Sequence, residues 1–73
     1  MMSLCDGKVN KTYRVVGVNG QGKETRRLLE LGIIAGQPIK ILNKSSLKKV
    51  YLVEIRGYLL SVKASILKLV QVA

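Results

Sequence analysis

KETRRLLELGIIAGQP, residues Lys23 to Pro38, is the stretch on which the reading of this chain turns. Thr25, Leu28, Leu29 and Leu31 fall on one face at helical spacing, while Lys23, Arg26, Arg27 and Glu30 point the other way, which predicts an amphipathic helix over Gly22 to Leu31. Glu24 in the first turn suits the positive end of the helix dipole, and Gly32 stands where a left-handed stop residue belongs. Gly36 and Pro38 then hand over to an alternating apolar segment, and Pro38 fits the first position of a strand, where no ladder donor is lost.

Working outward, the flanks read as sheet. Upstream, Lys11 to Val18 (KTYRVVGV) is rich in β-branched and aromatic residues, with Tyr13, Val15 and Gly17 on one face and Thr12, Arg14, Val16 and Val18 on the other. Downstream, Pro38 to Leu42 (PIKIL) forms a second strand with Ile39 and Ile41 inward. Asn43 to Lys49 (NKSSLKK) is a polar, basic loop. Val50 to Ile55 and Tyr58 to Lys63 make a hairpin around Arg56-Gly57. Ala64 to Leu67 has the length of one helical turn, and Lys68 to Val72 alternates as a fifth strand. Met1 to Asn10 carries no pattern, although Leu4 and Val9 could tuck against the sheet. The expected fold is mainly β with one inserted helix, an SH3-like small antiparallel barrel of about five strands. Closure would remove the edges that so small a sheet cannot otherwise protect.

Composition bounds the function. The 73 residues form one domain, with its core over residues 11–72, and a chain this short buries only roughly 60% of its unfolded surface. Thirteen lysines and arginines oppose Asp6, Glu24, Glu30 and Glu54, for a net charge of +9, which directs attention to acidic partners. The chain has no histidine and one cysteine, Cys5, near an end expected to be mobile, so neither a disulfide nor a zinc site of the usual spacing can be assembled. MMSLCDGK lacks the basic start and apolar run of a signal peptide, and no apolar run approaches the ~18 residues of a membrane span, which predicts a cytoplasmic location.

Gly17 to Thr25 (GVNGQGKET) comes close to the phosphate-binding loop of nucleotide hydrolases, a strand leading through Gly-x4-Gly-Lys into a helix. The hydroxyl that would ligate magnesium is displaced by Glu24, whose carboxylate would repel phosphates. Gly20 and Gly22 fail the dinucleotide fingerprint too, because Thr25 stands where its third glycine belongs. The stretch reads as a flexible turn before a helix. With no nucleophile paired to a base and no carboxylate pair at a recognisable spacing, the chain is read as a non-enzyme.

RLLELGIIAGQPIKIL followed by VEIRGYLLSVKASILKLVQV resembles the FeoA family, small cytoplasmic accessory proteins of bacterial ferrous-iron transport. The resemblance is carried by Leu28, Leu31, Gly32 and Gly36, then Ile55, Arg56, Gly57 and Tyr58, then Ala64 and Ile66, and it spans Tyr13 to Val72. It implies an SH3-like barrel, related to the C-terminal domain of iron-dependent repressors, and a partner in the cytoplasmic GTPase domain of the ferrous-iron permease. Transition-metal binding is attached to the family as a whole. Here no tightly bound cofactor and no metal-binding residues are expected, and any Fe2+ would bind weakly through Asp6, Glu24, Glu30 or Glu54, or through a site shared with the partner.

Two charged surfaces are candidates. Lys23, Arg26 and Arg27 on the outer helix face would meet an acidic surface of the partner, against the alternative of a merely solvated face. Lys40, Lys44, Lys48 and Lys49 form a basic patch suited to nucleic acid or anionic lipid. With only Tyr13, Tyr51 and Tyr58 as aromatics, stacking on bases has little support. A nucleic-acid-binding or iron-regulator domain therefore stands as the alternative, and the chain is expected to be a monomer that reaches the membrane only through the permease.

Overall fold

The computed structural model describes residues 1–73. Its elements in order are β1 (Met2–Ser3), a 3-10 turn (Leu4–Asp6), β2 (Thr12–Val18), α1 (Lys23–Glu30), β3 (Pro38–Ser45), β4 (Val50–Ile55), β5 (Tyr58–Lys63), α2 (Ala64–Leu67) and β6 (Val70–Val72). The strands form one antiparallel sheet in the order β1-β6-β2-β3-β4-β5.

β2 is the hinge of that sheet. Its first half pairs with β3, with Tyr13 opposite Ile39, and its second half pairs with β6, with Val18 opposite Val70. The changeover falls between Arg14 and Val15; a register shift between Val15 and Gly17 lies just past it within the β2–β6 ladder, and a second one between Ile41 and Asn43 bends β3. Bulges of this kind raise local twist, which wraps six short strands around one interior. The alternation anticipated in β2 holds, with Tyr13 and Val15 buried and Thr12, Arg14 and Val16 facing water. β3 runs three residues past Leu42 because the bulge lets Asn43, Lys44 and Ser45 pair with Leu52, Tyr51 and Val50.

The sheet is SH3-like but does not close as a hydrogen-bonded ring. After Lys63 the chain leaves the ladder: the Ala64 amide bonds the Lys49 carbonyl at 2.9 Å, and α2 drops Leu67, fully buried, into the gap between β5 and β1. Packing thus seals the side that hydrogen bonds do not. Leu4 joins the same cluster, equally buried, alongside Ile33, Ile39, Ile41, Val53, Ile55, Val70 and Val72.

The first ten residues are more ordered than their sequence indicates. Ser3 Oγ donates to the Leu67 carbonyl at 3.1 Å, the Lys8 amide donates to the Tyr13 hydroxyl at 2.8 Å, and Met2 pairs with Val72. Cys5 therefore lies not on a mobile end but half-buried in a docked one, its Sγ 3.2 Å from Ser3 Oγ. Leu4 does pack inward as anticipated, whereas Val9 bridges to Ile41 through its backbone and leaves its side chain half exposed.

Candidate partner-binding face

α1 has no side-chain cap at its start; Gly22 is extended and accepts the Arg26 amide at 3.1 Å to close the first turn. Thr25 is buried, and its hydroxyl donates to the Asn19 carbonyl at 2.6 Å, tying the helix to the end of β2. A methyl group on Gly20, whose φ is +87°, would stand 2.9 Å from that hydroxyl. The stretch that resembles a phosphate loop is thus a packed connection, and its only nearby hydroxyl is spent on a carbonyl.

The other end of α1 is a Schellman stop. The Gly32 amide bonds the Leu29 carbonyl at 3.0 Å, the Ile33 amide bonds the Leu28 carbonyl at 3.1 Å, and Gly32 sits at φ +95°. The accompanying apolar contact comes from Leu28 and Ile33, both core residues. Only Thr25 and Leu28 of the helix are buried; Leu29, expected on the apolar face, is 44% exposed, because an eight-residue helix touching the sheet along one line buries a single i, i+3 pair.

Against this stop lies the β4–β5 hairpin, whose Arg56 and Gly57 both have positive φ, the signature of a two-residue turn matched to strand twist. The Tyr58 hydroxyl donates to the Leu31 carbonyl, and a methyl group on Gly32 would stand 2.9 Å from Arg56 Cδ. Leu29 to Gly32 (LELG) and Ile55 to Tyr58 (IRGY), two of the segments that carry the family resemblance, are therefore the two sides of one contact, which sets the angle of α1 on the sheet.

That angle opens a groove of 380 Å³ between α1 and β5. Its floor is Leu28, Leu31, Leu60, Val62 and Ile66; its rim carries Lys23, Arg27 and Lys63 against one carboxylate, Glu24. β5 is an edge strand, so its outer backbone groups have no ladder partner. Lys23, Arg26 and Arg27 do come together, with Glu30, on the solvent side of α1, and Lys23 and Arg27 also reach the groove.

The predicted basic patch is divided. Lys48 and Lys49 share a cleft with Tyr51, Lys63 and Lys68, and Lys44 Nζ lies 5.2 Å from the centre of the Tyr51 ring. Lys40 is elsewhere, opposite Glu54 on β4, in a depression with Thr12, Gln37 and Arg56. Lys63 and Lys68 escaped sequence reasoning. Lys63 joins the patch because β4–β5 pairing sets it opposite Val50, a fact that its own alternation does not contain.

No three histidine, cysteine, aspartate or glutamate side chains converge anywhere in the fold. Asp6 lies beside Cys5, Glu24 in the groove, Glu30 on the outer helix face and Glu54 opposite Lys40. This scattered donor set does not fit a resident transition metal, which calls for several converging ligands. No helix is long and apolar enough to cross a membrane.

Comparison with known proteins gives the fold its relatives. No curated protein is similar enough to the chain to match it. Among solved structures, a FeoA-like protein from Clostridium acetobutylicum superposes with a TM-score of 0.90 at 26% identity, over 99% of this chain and 84% of that one. FeoA from Chlorobium tepidum gives 0.86 at 27%, over 97% and 68%. The zinc complex of Stenotrophomonas maltophilia FeoA, described as a procaryotic SH3 domain protein, gives 0.88 at 23%, over 100% and 91%. The family model for the FeoA domain matches residues 2–73, and the chain, whose LELG and IRGY signals meet in one contact, therefore belongs to the FeoA domain family.

Proposed function

We propose that this protein is a cytoplasmic accessory factor of bacterial ferrous-iron transport that works by protein contact, binding the GTPase domain of the iron permease through the α1 face and the groove beside it. The observation that carries the reading is the groove itself: an apolar floor with a basic rim of Lys23, Arg27 and Lys63, next to an edge strand. Such a surface suits an apolar segment flanked by acidic residues, because the floor supplies burial and the rim supplies orientation and on-rate. Its rigidity comes from the Schellman stop and the Tyr58 bond, which hold both walls in place before a partner arrives. Family membership supplies the link to iron transport. Contact rather than catalysis fits a chain without a paired nucleophile and base.

Titration calorimetry with the isolated GTPase domain tests it. The Arg26→Glu/Arg27→Glu variant is expected to bind at least about tenfold more weakly at low salt, with the difference shrinking as salt rises. Unchanged affinity of a folded variant would remove the α1 face from the interface.

A further inference from the structure

The β3–β4 turn carries a feature that the α1 face does not explain. Leu47 at its apex is 93% exposed, the most solvent-accessible large apolar side chain in the molecule. The turn is held in place: the Lys48 amide donates to Ser45 Oγ at 3.3 Å, Lys49 takes a φ of +54°, and the Lys49 carbonyl accepts the Ala64 amide. Leu47 is thus presented outward on a fixed turn.

Around it the charge is of one sign. Lys48, Lys49, Lys63 and Lys68 line a cleft of 620 Å³ with Ser46, Tyr51 and Ser65, and Lys44 leans over the Tyr51 ring. No carboxylate lines this cleft, since all four acidic side chains lie at the positions described above.

We propose that this end of the molecule docks on an anionic lipid surface, with the five lysines among the headgroups and Leu47 inserted below them. The combination decides the occupant. Lysines alone would suit any polyanion, but a protruding leucine gains nothing from a phosphodiester chain and gains burial from an acyl layer beneath an anionic one. Long lysine stems can lie in the interfacial region while their ammonium groups stay with the phosphates. RNA is disfavoured further because Tyr51, the one aromatic ring in the cleft, is half-buried and has an ammonium over its face, so it offers no open stacking platform. A single apolar anchor and a small basic cluster give weak, reversible binding, which suits a peripheral contact.

The experiment is co-sedimentation of the full chain with vesicles of phosphatidylcholine alone or mixed with phosphatidylglycerol. Binding is expected only to the mixed vesicles and to fall steeply as salt rises. Each of Lys48→Gln, Lys49→Gln and Lys68→Gln should weaken it by about fivefold, and Leu47→Ser by about tenfold. Because the chain contains no tryptophan, Leu47→Trp gives a clean reporter, whose emission should shift to the blue on mixed vesicles. Thermal melts of each variant confirm that it is folded, and Leu47, being exposed, can change without disturbing the core. Equal binding to neutral vesicles, bound protein with unshifted tryptophan emission, or tighter binding to homopolymer RNA than to mixed vesicles would each overturn the proposal.

Discussion

Replacing Gly32 by alanine puts the contact between the α1 stop and the hairpin to a quantitative test. Two costs are separable. A non-glycine residue at φ +95° costs about 1–2 kcal/mol in backbone strain. The new methyl would then stand 2.9 Å from Arg56 Cδ and 3.5 Å from the Tyr58 hydroxyl. Arg56 can swing away, but the shift loosens the Tyr58 bond to Leu31, worth about 1 kcal/mol. The sum is about 2–3 kcal/mol in a domain whose whole stability is ~4–10 kcal/mol, and the melting temperature should fall by on the order of 15 °C. Gly36→Ala is the internal control: its φ is +93°, yet no atom lies within 4 Å of the added methyl, so it bears the backbone cost alone. Urea denaturation followed by circular dichroism measures both variants, and Tyr58→Phe completes a double-mutant cycle. The reasoning predicts a larger loss at Gly32 than at Gly36, and a Tyr58→Phe effect of about 1 kcal/mol that shrinks in the Gly32→Ala background. Equal losses at the two glycines, with full additivity at Tyr58, would refute it.

Leu4→Ala should cost about 2–5 kcal/mol, as deletion of a fully buried leucine does, instead of the few tenths typical of a loose chain end; urea midpoints measure it, and a small effect would show the docked N-terminal segment to be marginal. Cobalt(II) titration followed by NMR is expected to give only weak, dispersed shifts near the scattered carboxylates, and tight one-to-one saturation would contradict the reading of the donor set.

What was legible in the sequence is what local chemistry decides. Gly32 after Leu31 marks the helix stop because the stop needs a left-handed residue, and Arg56-Gly57 marks the hairpin because a two-residue turn needs positive φ. Val50–Ile55 and Tyr58–Lys63 have the bounds that alternation gives them. The remainder depends on residues far apart in the chain. β1 is two residues long and exists only because Val72 and Gln71 lie beside it, so no window around Met2 contains the signal. The bulge that carries β3 to Ser45 is set by its partner strand, and the open side of the sheet by the room that Leu67 needs. For the candidate sites, helical spacing was enough to group Lys23, Arg26 and Arg27, whereas proximity in sequence set Lys40 beside Lys44 when the sheet carries them to different surfaces.

The division of β2 between two ladders bears on the order in which the molecule assembles. β3, β4 and β5 follow one another in the chain and join through short turns, so their pairing requires little loop closure. Joining Val18 to Val70 closes a loop of roughly 50 residues, an entropic cost about 3 kcal/mol above that of a two-residue turn. The meander is therefore expected to form early, and the ladder of β6 with β2 and β1 late, once a surface exists to receive it. In kinetic terms, substitutions at the chain ends are expected to act mainly on the unfolding rate and those in the hairpin around Arg56-Gly57 on the folding rate, which φ-values near 0 at Val72 and well above it at Val53 would bear out and equal values would contradict.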